Sequence, residues 1–221
     1  MKKTKELEKD KRANSTTMTA QSGASPTSKG MPKYHVRLKG IVPTIQNRFT
    51  DAARAQVDNP GSKGKLKTVE GRIEEAYEKV YRNAIGEIVW EAIAIKKCII
   101  DGASSASLKI GKKSCLPYLR AAMFLEADSV PILRDGKTIK QAEGIHECTG
   151  RIPPGPKGHR VILRRPYINT GWELDFTLHV FDDRLSDQLI IAALQEAGTM
   201  IGLSDHRPEF GRFTVITFES I

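Results

Sequence analysis

The chain has 221 residues, which is enough for one domain with a sizeable core, and 39% of them are hydrophobic. Its 35 Lys and Arg outnumber its 26 Asp and Glu, and the resulting net charge of +9 favours a polyanionic partner, most often nucleic acid. No apolar run approaches the roughly 20 residues that a membrane-spanning helix needs, so no membrane partner is expected.

Residues 1–32 are predicted to form a disordered tail. Charged residues crowd positions 2–12, and the stretch 14–30 is mostly Ser, Thr, Ala, Gly and Pro. Such a segment has too little apolar surface to offset the entropy lost on ordering. A solvated tail is the favoured interpretation, and a basic arm that touches nucleic acid loosely is the alternative.

The first predicted strand spans 34–41, where apolar Tyr34, Val36 and Leu38 alternate with polar His35, Arg37 and Lys39. This alternation gives the strand one apolar face and one basic face. Residues 44–68 show weak periodicity and contain the run Lys63, Lys65 and Lys67. They are predicted to form a long basic loop, a type of segment that is usually functional or disordered.

The middle of the chain mixes clear and ambiguous patterns. We expect a helix over 70–82, a short strand over 87–90, and a helix over 91–101 that Gly102 ends. Residues 115–125 fit a helix or a strand equally well. Asp135 and Gly136 predict a hairpin turn within 130–139, and the proline-rich stretch 151–158 predicts a linker or stiff loop.

The last part of the chain carries the clearest signals. Two strands are predicted at 159–168 and 172–181, joined as a hairpin near 169–171, and the second alternates strictly between apolar and polar residues. Ser186 then caps a predicted helix whose Leu189, Ala193 and Ala197 fall on one face. A final strand is predicted at 212–218.

With the helix at 91–101 as the first crossover, the order is strand, helix, strand, strand, helix, strand. The predicted fold is therefore α+β, with a ferredoxin-like (RRM-like) βαββαβ core. A single domain would span 33–221, with large insertions at about 44–90 and 103–158. Folds of this shape bind single-stranded nucleic acid on the open sheet face and at its edges.

Glycine and arginine distinguish the loop between the last predicted helix and the last strand. Gly202 and Gly211 bracket it, and Arg207 and Arg212 lie within or beside it. Backbone amides and guanidinium groups of such a loop could hold phosphates. Alternatively, the glycines only end the helix and begin the strand. Phe210 could stack on a base or pack in the core.

Two motifs carry a resemblance to a known family. The loop G-L-S-D-H-R-P-E-F-G-R-F at 202–213, together with the element order, resembles the RAMP superfamily, which includes the backbone subunits of CRISPR surveillance complexes. The run G-I-V-P-T-I-Q-N-R-F at 40–49 is similar to the start of uncharacterised RAMP-like proteins from bacteria and their phages. The resemblance implies binding of single-stranded nucleic acid, RNA first, and side-by-side assembly in a homo-oligomer or ribonucleoprotein.

The predicted nucleic-acid contacts are the cations and aromatic residues of these segments. Arg48 beside Phe49 is the pairing suited to clamping a phosphate while stacking on a base. The full set is Arg37, Lys39, Arg48, Phe49, Lys63, Lys65, Lys67, Arg160, Arg164, Arg165, Arg207, Phe210, Gly211 and Arg212.

No metal or cofactor is expected. Cys98, Cys115 and Cys148 are far apart and form no C-x-x-C pair, and His146 and His206 fall in predicted loops without metal-ligand spacing. The phosphate loop G-x-x-x-x-G-K-[ST] is missing, so nucleotide hydrolysis is not predicted. The cysteine pattern fits a reducing, cytoplasmic compartment.

Three functions follow from these patterns. The favoured one is a non-catalytic protein that binds single-stranded RNA, or single-stranded DNA, and oligomerises along it. The second is a metal-independent endoribonuclease of the RAMP type that uses His35, or His179 with nearby Asp175, for acid–base chemistry. The third is a structural or interaction protein of a phage or mobile element whose basic surface meets an acidic protein.

Overall fold

The computed structural model describes residues 31–59, 68–151 and 160–221. Nearly all of the predicted tail lies outside these ranges, as do Lys63, Lys65 and Lys67 and most of the predicted linker at 151–158. Among the described residues, no helix is long and apolar enough to cross a lipid bilayer.

Strands and helices alternate irregularly along the chain. The strands are β1 Lys33–Gly40, β2 Thr44–Ile45, β3 Val89–Glu91, β4 Lys109–Ile110, β5 Lys113–Ser114, β6 Met123–Leu125, β7 Ser129–Pro131, β8 Leu133–Arg134, β9 Lys137–Thr138, β10 Gly144–Arg151, β11 Arg160–Ile168, β12 Glu173–Val180 and β13 Phe213–Ser220. The α-helices are α1 Asp51–Asp58, α2 Val69–Tyr77, α3 Ala92–Ser105, α4 Leu116–Ala122 and α5 Asp187–Glu196, and a π-helical turn, Ala197–Ile201, follows α5.

The main sheet is antiparallel and is built around β1. That strand pairs with β13 on one side and with β12 on the other, and β12 pairs in turn with β6 near its end and with β8 near its start. The apolar side chains of β1, namely Tyr34, Val36 and Leu38, are buried, as its alternation predicts. A mixed α+β fold with antiparallel sheets is therefore confirmed.

Helices α3 and α5 pack together with the apolar residues of the main sheet in one hydrophobic core. Gly102 lies inside α3, so the expectation that it ends this helix is wrong. A Cβ at this position would come within 2.4 Å of the Ala193 carbonyl oxygen and 2.6 Å of the Ala197 nitrogen. Gly102 therefore lets α3 approach the backbone of α5 closely instead of stopping the helix.

A second sheet holds β10, β11 and β2, in that order. Strand β11 pairs along its length with β10, and its end pairs with β2. The expectation that β11 and β12 form one hairpin is therefore wrong, because β1 occupies one edge of β12 while β6 and β8 occupy the other. The additional strand beside β12 is β6, from the ambiguous stretch 115–125, which folds as helix α4 followed by this strand.

Of two further predictions, the hairpin turn at 135–136 is confirmed, and the loop at 44–68 is wrong in its described part. Asp135 and Gly136 take positive φ values of 50° and 74° in the turn between β8 and β9, so the predicted hairpin turn is confirmed. Residues 44–59 are not a loop, because they include β2 and α1. Helix α1 begins where the Thr50 hydroxyl accepts a hydrogen bond from the Ala53 amide.

Candidate nucleic-acid interface

The open face of the main sheet carries a ladder of ion pairs between β1 and β12. His35 Nε2 lies 2.7 Å from the Asp175 carboxylate, Arg37 Nη2 donates to Glu173 at 2.6 Å, and Lys39 Nζ lies 3.5 Å from the same group. Opposite charges face each other because the two strands run antiparallel in this register. The basic face predicted for β1 is thus compensated, and both Arg37 and Lys39 already have a carboxylate partner.

Glu173 is the centre of this ladder and is only 6% exposed. The hydrogen bond from Arg37 holds the pKa of its carboxyl group below the ordinary value, although burial acts in the opposite direction. The charged form is therefore favoured in the folded protein. Stability from this group is present above its unfolded pKa of about 4.3 and is lost as the pH falls through the lower native value.

We predict that Glu173→Gln lowers the free energy of unfolding at pH 7 by about 1–2 kcal/mol. This value allows for the partial exposure of the Arg37 side chain to solvent, which weakens the ion pair. The variant should also lose less stability than the wild type between pH 5 and pH 3. Urea unfolding across this pH range measures both effects. Glu219→Gln is the matched control, since this exposed carboxylate lies opposite His35 on the same face. Parallel pH curves for the wild type and Glu173→Gln would contradict the prediction.

Three rings stack at the β6 edge of the main sheet. Phe124 lies 4.6 Å from the His179 ring and 4.8 Å from the Phe181 ring, and all three planes are nearly parallel. Phe124 and Phe181 keep exposed faces, whereas His179 is buried and its Nε2 lies 3.4 Å from Glu126. Asp175 pairs with His35 and not with His179, so the acid–base pair expected around His179 does not form.

The glycine loop 202–212 is closed onto strand β2. The Leu203 amide donates to the Gly211 carbonyl, the Gly211 amide donates to Pro43, and the Asp205 amide donates to Ile45. Gly202 and Gly211 have φ values of 81° and 79°, which a residue with a Cβ rarely adopts. These three amides donate within the chain, so they are not free to donate to a phosphate.

Most arginines predicted to bind nucleic acid have acidic partners. Arg207 lies 3.3 Å from Asp101, Arg165 lies 2.7 Å from Asp205, and Arg164 lies 2.6 Å from Glu147. These contacts attach the glycine loop to α3 and to β11, and they attach β11 to β10. These three arginines therefore join elements of the fold through their ion pairs.

Three predicted arginines differ from these. Among the residues that the structure describes, Arg48, Arg160 and Arg212 have no carboxylate within ion-pair distance. Arg160 is exposed at the start of β11, and Arg212 Nε donates to the Pro208 carbonyl at 2.9 Å. These side chains retain most of their capacity to bind phosphate.

Arg48 and Phe49 stand on a segment that the fold holds in place. Buried Gln46 donates to the Val89 carbonyl at 2.7 Å and accepts from the Tyr81 amide at 2.9 Å. The Arg48 amide donates to the Lys79 carbonyl at 2.8 Å. Phe49 is nonetheless 54% exposed. The segment therefore presents, from a pre-organised backbone, an aromatic ring and a cation without an ion-pair partner in the described part of the chain.

Sequence reasoning missed one cluster of side chains. His146 lies in strand β10 and not in a loop, and it meets Cys148 of the same strand and His206 of the glycine loop. Phe210 packs on both histidine rings, at 4.9 Å and 5.7 Å. No local spacing signals this cluster, because His206 is brought in by the tertiary fold.

Comparison with known proteins finds a similar fold in a solved structure. No protein-family model matches the chain, and no curated protein matches it. A chain of the type III-B Cmr-beta complex, solved by cryo-electron microscopy with cognate target RNA bound, matches with a TM-score of 0.52 at 9% identity. The match covers 86% of this chain and 60% of that one, so this chain spans about three fifths of its length. The two share a fold.

Proposed function

We propose that this protein is a non-catalytic, RAMP-type subunit that binds single-stranded nucleic acid, RNA in preference to DNA. The observation that carries the proposal is the pre-organised pair of Arg48, without an ion-pair partner among the described residues, and exposed Phe49. A guanidinium beside an exposed ring offers a phosphate contact and a stacking surface together. The +9 net charge of the whole chain supports the same partner.

The core topology supports the RAMP assignment. We propose that the core is ferredoxin-like, with β1, α3, β6, β12, α5 and β13 as its βαββαβ elements. Antiparallel neighbours in the order β13, β1, β12 and β6 agree with that arrangement. The structure of similar fold comes from a complex with bound target RNA, which favours RNA over other polyanions for this chain.

The proposed interface lies at the end of the main sheet where β1 leads into β2, and not across the open face. On the open face, Arg37 and Lys39 share the Glu173 carboxylate, and Asp175 adds a second negative charge opposite Arg37. Along the chain, Arg48 lies three residues after Ile45, the last residue of β2, and Arg212 immediately precedes β13. Residue Arg212 is tied to this end because its carbonyl accepts from the Ile41 amide. Lys63, Lys65 and Lys67 belong to the segment after α1 and remain predicted contacts.

Salt-dependent binding of labelled oligonucleotides tests the proposal. Fluorescence anisotropy should show binding of single-stranded RNA, weaker binding of DNA of the same sequence, and the weakest binding of duplex RNA. Arg48 and Arg212, the two arginines of this interface without an ion-pair partner among the described residues, predict at about 0.7 each a slope of log K against log salt of about −1.4, or steeper if Arg160 or the lysines contribute. No binding at low salt, or a slope near zero, would overturn the proposal.

The same mixtures test whether the protein is an enzyme. Labelled RNA should stay intact during long incubation with the protein in the presence of EDTA. Cleavage that His35→Ala abolishes would favour the endoribonuclease instead, because the contact of His35 with Asp175, at 2.7 Å, is the shortest between a histidine and a carboxylate among the described residues. Side-by-side assembly predicts that the number of protein copies bound grows stepwise with RNA length, which native mass spectrometry measures.

A further inference from the structure

The three cysteines of the chain lie in different environments. Burial raises the pKa of the Cys98 thiol to about 12 and raises that of Cys115 as well, so both behave as small apolar core residues. Cys148 is half-buried, and Arg165 Nη1 donates to its sulfur at 3.5 Å. Unlike the other two sulfurs, that of Cys148 is not enclosed in the core, so it is placed where it could bind a metal ion.

Cys148 does not stand alone. His146 is two positions earlier on β10, so both side chains project from the same side of the strand. His206 reaches them from the glycine loop. One ligand atom from each residue lies within 4.8 Å of the other two. A tetrahedral zinc ion with bonds of 2.0–2.3 Å needs its ligand atoms about 3.3–3.8 Å apart, so small side-chain rotations would complete the geometry.

The position of His206 is set by contacts outside the cluster. The Ser204 hydroxyl and the Asp205 amide bond to Ile45, and the Asp205 carboxylate pairs with Arg165. These contacts attach the start of the loop to β11, which pairs with β10, and to β2 on the other side of β11. The cluster therefore results from the same contacts that close the glycine loop.

An unpartnered nitrogen points independently to a ligand. His206 Nδ1 is buried and has no hydrogen-bond partner among the residues that the structure describes, while Nε2 of the same ring lies 3.8 Å from the Glu209 carboxylate. A buried nitrogen without a partner is costly, which a bound ion would relieve. Metal-binding histidines usually hydrogen-bond their second nitrogen to a carboxylate, and a rotation of the exposed Glu209 side chain would bring its carboxylate within that distance of Nε2.

We propose that His146, Cys148 and His206 bind one transition-metal ion, with Zn²⁺ preferred. Two imidazoles and a thiolate are borderline-soft ligands that suit zinc and disfavour Mg²⁺ or Ca²⁺. Water would complete the coordination, and Phe210 would shield one side of the site. The ion would join the glycine loop to strand β10. Phe210 then serves as part of the metal-site wall and not as a base-stacking residue.

Metal analysis of the untagged full-length protein tests this proposal. After incubation with zinc and removal of free metal by gel filtration, mass spectrometry should find about one zinc per chain, unaffected by excess magnesium. Cobalt loading should give the charge-transfer band of a cobalt–thiolate bond. Cys148→Ser and His206→Gln should each weaken zinc binding by more than about 100-fold, and Glu209→Gln by about 10- to 100-fold.

Two controls keep the outcome clear. His35→Gln removes a histidine outside the cluster and should leave zinc binding unchanged. Circular dichroism confirms that each variant is folded, and zinc should raise the unfolding temperature of the wild type but not that of Cys148→Ser. Wild-type protein that retains no zinc, or zinc retained equally by Cys148→Ser and His206→Gln, would overturn the proposal. RNA binding is not a readout here, so the two proposals fail separately.

Discussion

Truncation of Phe49 to alanine is expected to weaken the binding of single-stranded RNA by about 5- to 150-fold. Base–aromatic stacking contributes about 1–3 kcal/mol per base, and each 1.4 kcal/mol corresponds to a factor of ten. Phe49 is 54% exposed, so the substitution should change the free energy of unfolding little.

Arg48→Ala should also weaken binding and should reduce the salt slope by about 0.7, the effect of one phosphate contact. Anisotropy titrations at several salt concentrations measure both.

Matched variants on other parts of the surface locate the interface. Phe124→Ala removes a partly exposed ring of the aromatic stack on the sheet edge, and Arg184→Ala removes a cation that pairs with Asp182 beside α5. Both should bind RNA like the wild type. If Phe124→Ala weakens binding and Phe49→Ala does not, RNA lies across the open sheet face and the interface proposed at the end of β1 is wrong.

The sequence predicts the strands and helices that pack one face in the core and leave the other face outside it. Strands β1 and β12 alternate because one face packs in the core, and the helix after Ser186 repeats its apolar residues at helical spacing. The same logic fails for β11. Its alternation marks it as a strand but does not identify its partner, and pairing with β10 is decided by which edges of β12 are already occupied.

The candidate site was predictable to a smaller extent. Arg48 and Phe49 are predicted contacts because they are the last two residues of the motif at 40–49, which has a family resemblance. Residues Arg207 and Asp101 are 106 positions apart, so their ion pair could not be read from spacing. The cluster of His146, Cys148 and His206 was missed for the same reason. Cations in a sequence indicate charge, but only the fold shows which of them are already neutralised.

Gly211 lets two interpretations of the glycine loop be separated. It was predicted to contact nucleic acid, yet its amide donates to the Pro43 carbonyl at 2.8 Å and its φ is 79°. A Cβ here would come within 2.2 Å of the Leu203 carbonyl oxygen, a backbone atom that cannot move aside cheaply. We therefore predict that Gly211→Ala lowers the free energy of unfolding by about 2–4 kcal/mol. Thermal unfolding should show a decrease of about 5–15 °C.

Gly136→Ala is the control that isolates the clash. Gly136 also has a positive φ, 74°, but no heavy atom lies within 4 Å of its ideal Cβ, so alanine there meets backbone strain alone. It should cost about 1 kcal/mol. A larger loss for Gly211→Ala shows that close packing of the loop against Leu203 demands the glycine. If Gly211→Ala instead unfolds like Gly136→Ala but loses RNA binding, the glycine serves the ligand, and the loop belongs to the interface after all.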